Sequence, residues 1–145
     1  MKILLVDDES IALQTMENII RQSDFKSHTI LTASNAADAW TIIQTENPDI
    51  LFSDIQMPCE NGISLLQKNI RITAKNCWSS FVSGYSEFSY AQAALKYDAF
   101  DYLLKPLNSE VFLSCLKKAI NAIQEQEIWK SRKILSKFLR KIKVF

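Results

Sequence analysis

The sequence predicts an α/β fold in which five parallel strands form one doubly wound sheet flanked by helices. Short apolar runs of strand length alternate along the chain with amphipathic stretches of helix length. The run at residues 2–6 (KILLV) is continuously apolar, as expected for a parallel strand covered on both faces. Polar residues stand directly after several of these runs, which points to a shared site at one edge of the sheet.

The elements follow each other in a repeated strand–helix order. Strands are predicted at residues 2–6, 29–33, 49–52, 78–82 and 99–104. Helices are predicted at residues 11–20, 36–43, 63–72 and 87–97, and Asn108, a good N-cap residue, opens a last helix. Strands separated by helices in this way pair in parallel through right-handed crossovers.

Composition excludes several classes of protein. A chain of 145 residues with 48% hydrophobic residues fits one compact domain, and two glycines are too few for a Gly-rich phosphate loop. His28 is the only histidine, which argues against Ser–His or Cys–His catalysis. Three widely spaced cysteines form neither a disulfide framework nor a zinc site. No apolar run is long enough to span a membrane, so we expect a cytoplasmic protein with free thiols.

The charges divide the chain unequally. Residues 1–127 carry ten of the 17 Lys and Arg residues and all 16 acidic residues, whereas residues 128–145 carry seven basic residues and no acid. No Gly or Pro interrupts this tail, and it has an apolar stripe at helical spacing: Ile128, Leu135, Phe138, Ile142 and Phe145, with Ser131 in the remaining position. We predict a domain at residues 1–125 and a basic helical extension at residues 126–145. The extension is a linker helix toward an output domain, a coiled coil, or a surface for nucleic acid or an acidic partner.

The residues after the strands predict a site for phosphoryl transfer. Asp7-Asp8 follows the first strand, Asp54 the third, Ser83-Gly84 the fourth, and Lys105-Pro106 the fifth. Two unit charges about 4 Å apart repel by ~4 kcal/mol at an effective dielectric of ~20, so three clustered carboxylates call for a cation. An all-oxygen site suits Mg²⁺, with Mn²⁺ as a substitute. Taken one at a time, each residue is better explained as a helix cap, a turn residue or a surface charge, whereas their occurrence together at the ends of four strands favours a shared site.

The same residues resemble the receiver (CheY-like) domains of two-component response regulators. The resemblance covers about residues 1–125 and is carried by KILLVDDE, PDILFSDIQMP followed by NG, FVSGYSEFSYAQAAL and AFDYLLKP, in that order. It implies a flavodoxin-like fold with strand order 2-1-3-4-5. The segments SGYSEFSYA and AFDYLLKP look most like receivers attached to AraC-type DNA-binding output domains. Cys59 stands where many relatives have glycine.

The resemblance also implies a role for each site residue. Asp54 matches the phosphoacceptor. Asp8, Asp54 and the backbone carbonyl of Gln56 match direct metal ligands, and Asp7 matches the acid that reaches the metal through water. Ser83 matches the switch hydroxyl, Tyr102 the switch aromatic, and Lys105 the phosphate-contacting lysine before a cis bond to Pro106.

These roles predict a phosphorylation switch rather than an enzyme that turns over an external substrate. A sensor histidine kinase would donate the phosphoryl group, the domain would control an output such as transcription, and phosphorylation would favour a homodimer. We expect no membrane contact, and contact with DNA only through a C-terminal output domain. Two alternatives remain: an unphosphorylated pseudo-receiver used for docking, and a hydrolase of the haloacid-dehalogenase type. The hydrolases carry a DxD motif after the first strand, whereas Asp7 and Asp8 are adjacent.

Overall fold

The computed structural model is an α/β fold built on one sheet, and it describes residues 1–72, 77–84, 89, 92–93, 96 and 99–142, with the backbone alone at 69–72. The strands are β1 (Lys2–Val6), β2 (Thr29–Ala33), β3 (Ile50–Ser53), β4 (Trp78–Ser83) and β5 (Asp101–Leu104). All neighbouring strands are parallel, and their order is β2-β1-β3-β4-β5. This is the predicted fold class and strand order.

The described helices are α1 (Ser10–Arg21), α2 (Ala36–Glu46), α3 (Gly62–Ile72) and α4 (Ser109–Ile142). The helix predicted at residues 87–97 falls mostly on residues outside the described ones. Two predicted boundaries were wrong by more than one residue. The helix α2 continues past residue 43 to Glu46. Asn47 caps this end: its φ is 48°, and its N–H donates to the Ile43 carbonyl oxygen at 3.2 Å. The strand β5 begins at Asp101 rather than at residue 99.

Both faces of the central strands are buried, as the apolar runs predict. On one face, Leu4, Val6 and Leu51 pack with Ala39 and Ile43 of α2. Successive strand residues point to opposite faces, so Phe52 lies on the other side of the sheet. There its ring contacts that of Phe112, with centroids 4.6 Å apart. Burial on both sides holds the carboxyl ends of β1 and β3 in fixed positions, and these ends carry the acidic residues.

Side-chain caps define where α3 and α4 begin. The Asn61 carboxamide oxygen accepts a hydrogen bond from the backbone N–H of Ser64 at 2.9 Å. The Asn108 carboxamide oxygen accepts from the N–H groups of Glu110 and Val111 at 2.9 and 3.2 Å, so the predicted N-cap at Asn108 is confirmed. These caps satisfy N–H groups that have no partner within the helix.

The chain divides into two compact units, Met1–Leu113 and Ser114–Phe145, and α4 crosses the boundary between them. Within the second unit, buried side chains occur as far as Ile123, and every side chain from Gln124 to Ile142 is exposed. The predicted boundary near residue 125 stays a prediction. None of the described helices is both long and apolar enough to cross a membrane.

Candidate functional site

The carboxyl ends of β1 and β3 lie side by side because these strands are hydrogen-bonded neighbours. The Asp54 N–H donates to the Val6 carbonyl oxygen at 2.8 Å, and the Asp7 N–H donates to the Ala33 carbonyl oxygen at 3.2 Å. The ladder thus continues one residue past each strand, and it fixes the backbone of both acids. Residues 47 positions apart in sequence thereby meet at one edge of the sheet.

Three carboxylates form a cluster at this edge. Asp7, Asp8 and Asp54 each offer one oxygen, and the three oxygens lie within 4.8 Å of one another. Asp7 and Asp54 are buried, whereas Asp8 is exposed. The Asp7 Oδ1 atom accepts a hydrogen bond from the Glu9 N–H at 3.0 Å, which orients its carboxylate. The cluster therefore has a buried wall and one side open to solvent.

Lys105 supplies positive charge to this cluster. Its Nζ donates to Asp7 Oδ2 at 2.7 Å and lies 3.4 Å from Asp54 Oδ2. The backbone positions it, because the Lys105 N–H donates to the Ser83 carbonyl oxygen at 2.8 Å at the end of β4. The Lys105–Pro106 peptide bond is cis. The four strand ends singled out in the sequence thus meet at the same edge.

Electrostatics at the site follow from burial and from these charges. Burial, and next the repulsion from Asp7, raise the pKa of Asp54, while the Lys105 ammonium partly offsets both effects. Burial lowers the pKa of Lys105, but its hydrogen bond to Asp7 and the charges of Asp54, Asp7 and Glu9 together raise it further than burial lowers it. One ammonium therefore compensates the carboxylates only in part.

The donor set fits a small divalent cation. Carboxylate oxygens are hard ligands, and Mg²⁺ is typically held by one or two carboxylates with water completing its coordination. Burial and the neighbouring Asp7 raise the pKa of Asp54, and a bound cation would favour the ionised form of this carboxylate. The triad of Asp7, Asp8 and Asp54 is therefore suitable for a metal ion.

Two residues of the site were not predicted. The Ser53 hydroxyl donates to the Asp54 carbonyl oxygen at 2.9 Å. Gly62 lies against the same carbonyl, and its N–H donates to the Ile55 carbonyl oxygen at 2.9 Å, which closes the loop between β3 and α3. The NG pair at residues 61–62 was the available signal, because glycine often occurs where two segments of backbone approach each other closely.

The remaining predicted residues lie around the acids. Ser83 is buried and is the last residue of β4. Tyr102 is half-buried on β5 and packs against Ile55, Leu66 and Phe81. Gln56 is exposed in the loop after β3, and the metal contact of its carbonyl stays a prediction. Cys59, in the same loop, has a φ of 69°, a conformation that glycine adopts more easily.

Comparison with known families identifies this arrangement. The family described as response regulator receiver domain matches residues 3–117. This chain belongs to the response regulator receiver family. The matched range contains every residue of the site described above, so the acidic pocket of Asp7, Asp8 and Asp54 lies within the receiver domain.

Similar sequences occur in longer regulatory proteins. Transcriptional regulatory protein HptR of Staphylococcus aureus (strain N315) is 31% identical over 135 residues, which are 93% of this chain and 52% of HptR. The uncharacterized transcriptional regulatory protein YesN of Bacillus subtilis (strain 168) is 34% identical over 131 residues, which are 90% of this chain and 35% of YesN. The receiver chain thus spans about half of one relative and a third of the other.

Solved structures support the same fold. A response regulator receiver domain protein from Clostridium thermocellum superposes with a TM-score of 0.76 and 28% identity, over 86% of this chain and 98% of that chain. The REC domain of AraT, a response regulator from Geobacillus stearothermophilus, has a TM-score of 0.77 and 28% identity, over 87% and 97%. In both comparisons nearly the whole of the solved domain superposes on the larger part of this chain.

Proposed function

We propose that this receiver accepts a phosphoryl group from a sensor histidine kinase onto Asp54, in a reaction that requires Mg²⁺ or Mn²⁺. The observation that carries the proposal is the meeting of three carboxylates within 4.8 Å with the Lys105 ammonium 3.4 Å from Asp54. A nucleophile, a set of metal ligands and a fixed positive charge are the components that phosphoryl transfer needs. Catalysis then consists mainly of positioning and charge compensation.

Each residue has a defined task in the transfer. Asp8, Asp54 and the Gln56 carbonyl would hold the metal directly, with Asp7 acting through water. When bound, the cation supplies positive charge that offsets the charge of the phosphoryl oxygens. The Asp54 carboxylate attacks phosphorus, so that an O–P bond forms as the N–P bond of the kinase phosphohistidine breaks. The imidazole leaves and takes a proton from solvent, and Lys105 contacts a phosphoryl oxygen. The domain assists its own modification and turns over no external substrate.

The phosphorylated site would switch the domain through Ser83 and Tyr102. Phosphorylation adds charge and strong acceptor oxygens beside Asp54, and the Ser83 hydroxyl is the nearby donor that would move toward them. Tyr102 packs on Phe81, its partner across the β4–β5 ladder, so a shift of β4 changes the space open to its ring. The phosphate therefore favours one of two arrangements of the surface around Ser83 and Tyr102. A partner or a second receiver binds to that surface.

The output is transcription in this proposal. The two relatives named above are transcriptional regulatory proteins by name and extend well beyond the matched region. The segments SGYSEFSYA and AFDYLLKP favour an output domain of the AraC type, so DNA would be bound through that domain and not by the receiver. The protein would act in the cytoplasm, where the kinase presents its phosphohistidine.

Labelling by a small phosphodonor tests the assignment of Asp54. The chain is incubated with acetyl phosphate and Mg²⁺, and acyl phosphate is measured by mass spectrometry. Labelling should be lost in Asp54→Asn and without Mg²⁺. It should persist in Asp49→Asn, which changes an acid at the opposite end of the same strand. Equal labelling of Asp54→Asn would reject Asp54 as the acceptor.

The labelling experiment, together with an assay for release of inorganic phosphate, separates the pseudo-receiver and the hydrolase from this proposal. A pseudo-receiver would stay unlabelled under all conditions, although its acids would still bind Mg²⁺ in a fluorescence titration. A hydrolase would release inorganic phosphate from many equivalents of a phosphate ester. We expect stoichiometric labelling at one site and no such turnover.

A further inference from the structure

The last part of α4 has a continuous apolar face that is exposed. From Gln124 to Ile142 every side chain is exposed, and, besides Trp129, six large apolar residues are between 49% and 68% exposed. At 3.6 residues per turn these six fall on one side of the helix: Ile128, Ile134, Leu135, Phe138, Leu139 and Ile142. Trp129 lies on the basic side, with Lys133 Nζ 4.9 Å from its ring centroid.

The apolar residues follow a heptad register over residues 127–142. Ile128, Leu135 and Ile142 are seven apart and take the a positions, while Ser131 and Phe138 take the d positions. Ile134 and Leu139 occupy the flanking g and e positions and widen the apolar seam. The seam therefore has the pattern of a coiled-coil strand, with one small polar residue, Ser131, among its core positions.

The positions of the charged residues around this seam allow two copies of the helix to pair. Lys130, Lys133, Lys137 and Arg140 are at c and f positions, on the side of the helix away from the seam, where the like charges of two paired helices are farthest apart. Glu127 is at a g position, and Arg132, five residues later, is at the next e position. In a parallel coiled coil, g of one helix contacts that e of the other.

We propose that residues 127–142 pair in parallel and in register with the same segment of a second copy of this chain. Glu127 of each copy would then face Arg132 of the other, and Ile134 would face Leu139 of the other. An antiparallel pair sets e against e and g against g. It would bring Arg132 toward the apolar Leu139, although Glu127 would then face Lys141, so the disulfide experiment below decides between the two orientations. The pairing needs no phosphate on Asp54, so it is independent of the function proposed above.

Self-association tests the seam. The molecular mass of the whole chain is followed by sedimentation from about 1 µM to 1 mM, and a concentration-dependent dimer is expected. The double variant Leu135→Gln/Phe138→Gln should raise the dissociation constant by at least about tenfold, because two large side chains leave the seam. Trp129→Gln removes an equally exposed large residue from outside the seam and should change nothing. Asp54→Asn should dimerise like the unmodified chain.

Disulfide trapping tests the orientation. Under mild oxidation Ser131→Cys, at a core d position, should form a covalent dimer, whereas Ser136→Cys, at an outer b position, should stay at the background set by the three native cysteines. Circular dichroism confirms that each variant keeps its helix content. A monomer at all concentrations, equal trapping of both variants, or binding of the tail to anionic vesicles without dimers would overturn the proposal.

Discussion

Gly62 lies against the carbonyl oxygen of Asp54, so that no side chain fits between them. A Cβ at position 62 would overlap this carbonyl oxygen and would lie 2.9 Å from the Ser53 hydroxyl, which donates to the same carbonyl. The φ of Gly62 is not in the left-handed region, so space and not backbone conformation requires glycine here. The residue that begins α3 thus limits where the backbone of Asp54 can lie.

Gly62→Ala should therefore disturb both stability and the site. Overpacking of this kind costs about 1–3 kcal/mol, which urea denaturation measures, and displacement of Asp54 should weaken Mg²⁺ binding. Gly84→Ala is the matched control, because a Cβ at Gly84 meets nothing within 4 Å. Equal effects of the two substitutions would show that the contact with Asp54 is not tight.

Lys105→Ala should lower stability in metal-free buffer, and the variant should still bind Mg²⁺, with a higher affinity than the unmodified chain. Asp7 is fully buried and would lose its 2.7 Å partner, which costs about 1–3 kcal/mol of unfolding free energy. Because the uncompensated acids attract a cation more strongly, the midpoint of a Mg²⁺ titration should fall, while the response to phosphorylation is largely lost.

Lys2→Ala is the control for this loss of charge. It breaks an exposed pair with Glu46, which is worth less than about 1 kcal/mol. A Lys105→Ala variant that no longer binds Mg²⁺ would mean that the lysine shapes the metal site itself.

Asp54→Asn should stabilise the metal-free protein at neutral pH. The pKa of Asp54 is raised above 3.8 in the folded state, so the folded state holds this proton more tightly than the unfolded chain. The resulting stabilisation is complete below the ordinary pKa and is lost as pH rises through the raised one. The advantage of the variant in EDTA should therefore shrink as the pH falls from 7 toward the raised pKa of Asp54.

Mg²⁺ provides the control for this pH dependence. The cation binds the ionised carboxylate and should stabilise the unmodified chain much more than Asp54→Asn. Thermal unfolding with and without Mg²⁺ at each pH measures both effects. An advantage of the variant that is constant with pH would contradict the raised pKa.

Asn108→Ala should lower the free energy of unfolding by about 1 kcal/mol. The Asn108 side chain accepts hydrogen bonds from two N–H groups of the first turn of α4, which alanine leaves without this partner. Asn121→Ala, an exposed substitution inside the same helix, should be neutral or slightly stabilising, since alanine is the better helix former. Denaturant unfolding of the two variants makes the comparison.

Much of the fold was predictable because the local patterns agree with it. The strands β1 and β2 have the predicted bounds, and Asn108 caps α4 as expected. Clustering of Asp7 with Asp54 was predictable from topology, because parallel strands put their carboxyl ends at one edge. The end of α2 was missed, since Asn47 and Pro48 stop the helix later than the apolar pattern does.

Taken alone, the sequence determined the order of the elements, the faces that are buried and the edge where the acids collect. These depend on periodicity and on chain direction, which are local properties. Only the tertiary structure decided that Lys105 bonds Asp7 more closely than Asp54, that burial raises the pKa of Asp54, and that Gly62 must lack a side chain. Such features depend on distances of a few ångströms between residues far apart in the chain, and a residue pattern carries no information on those distances.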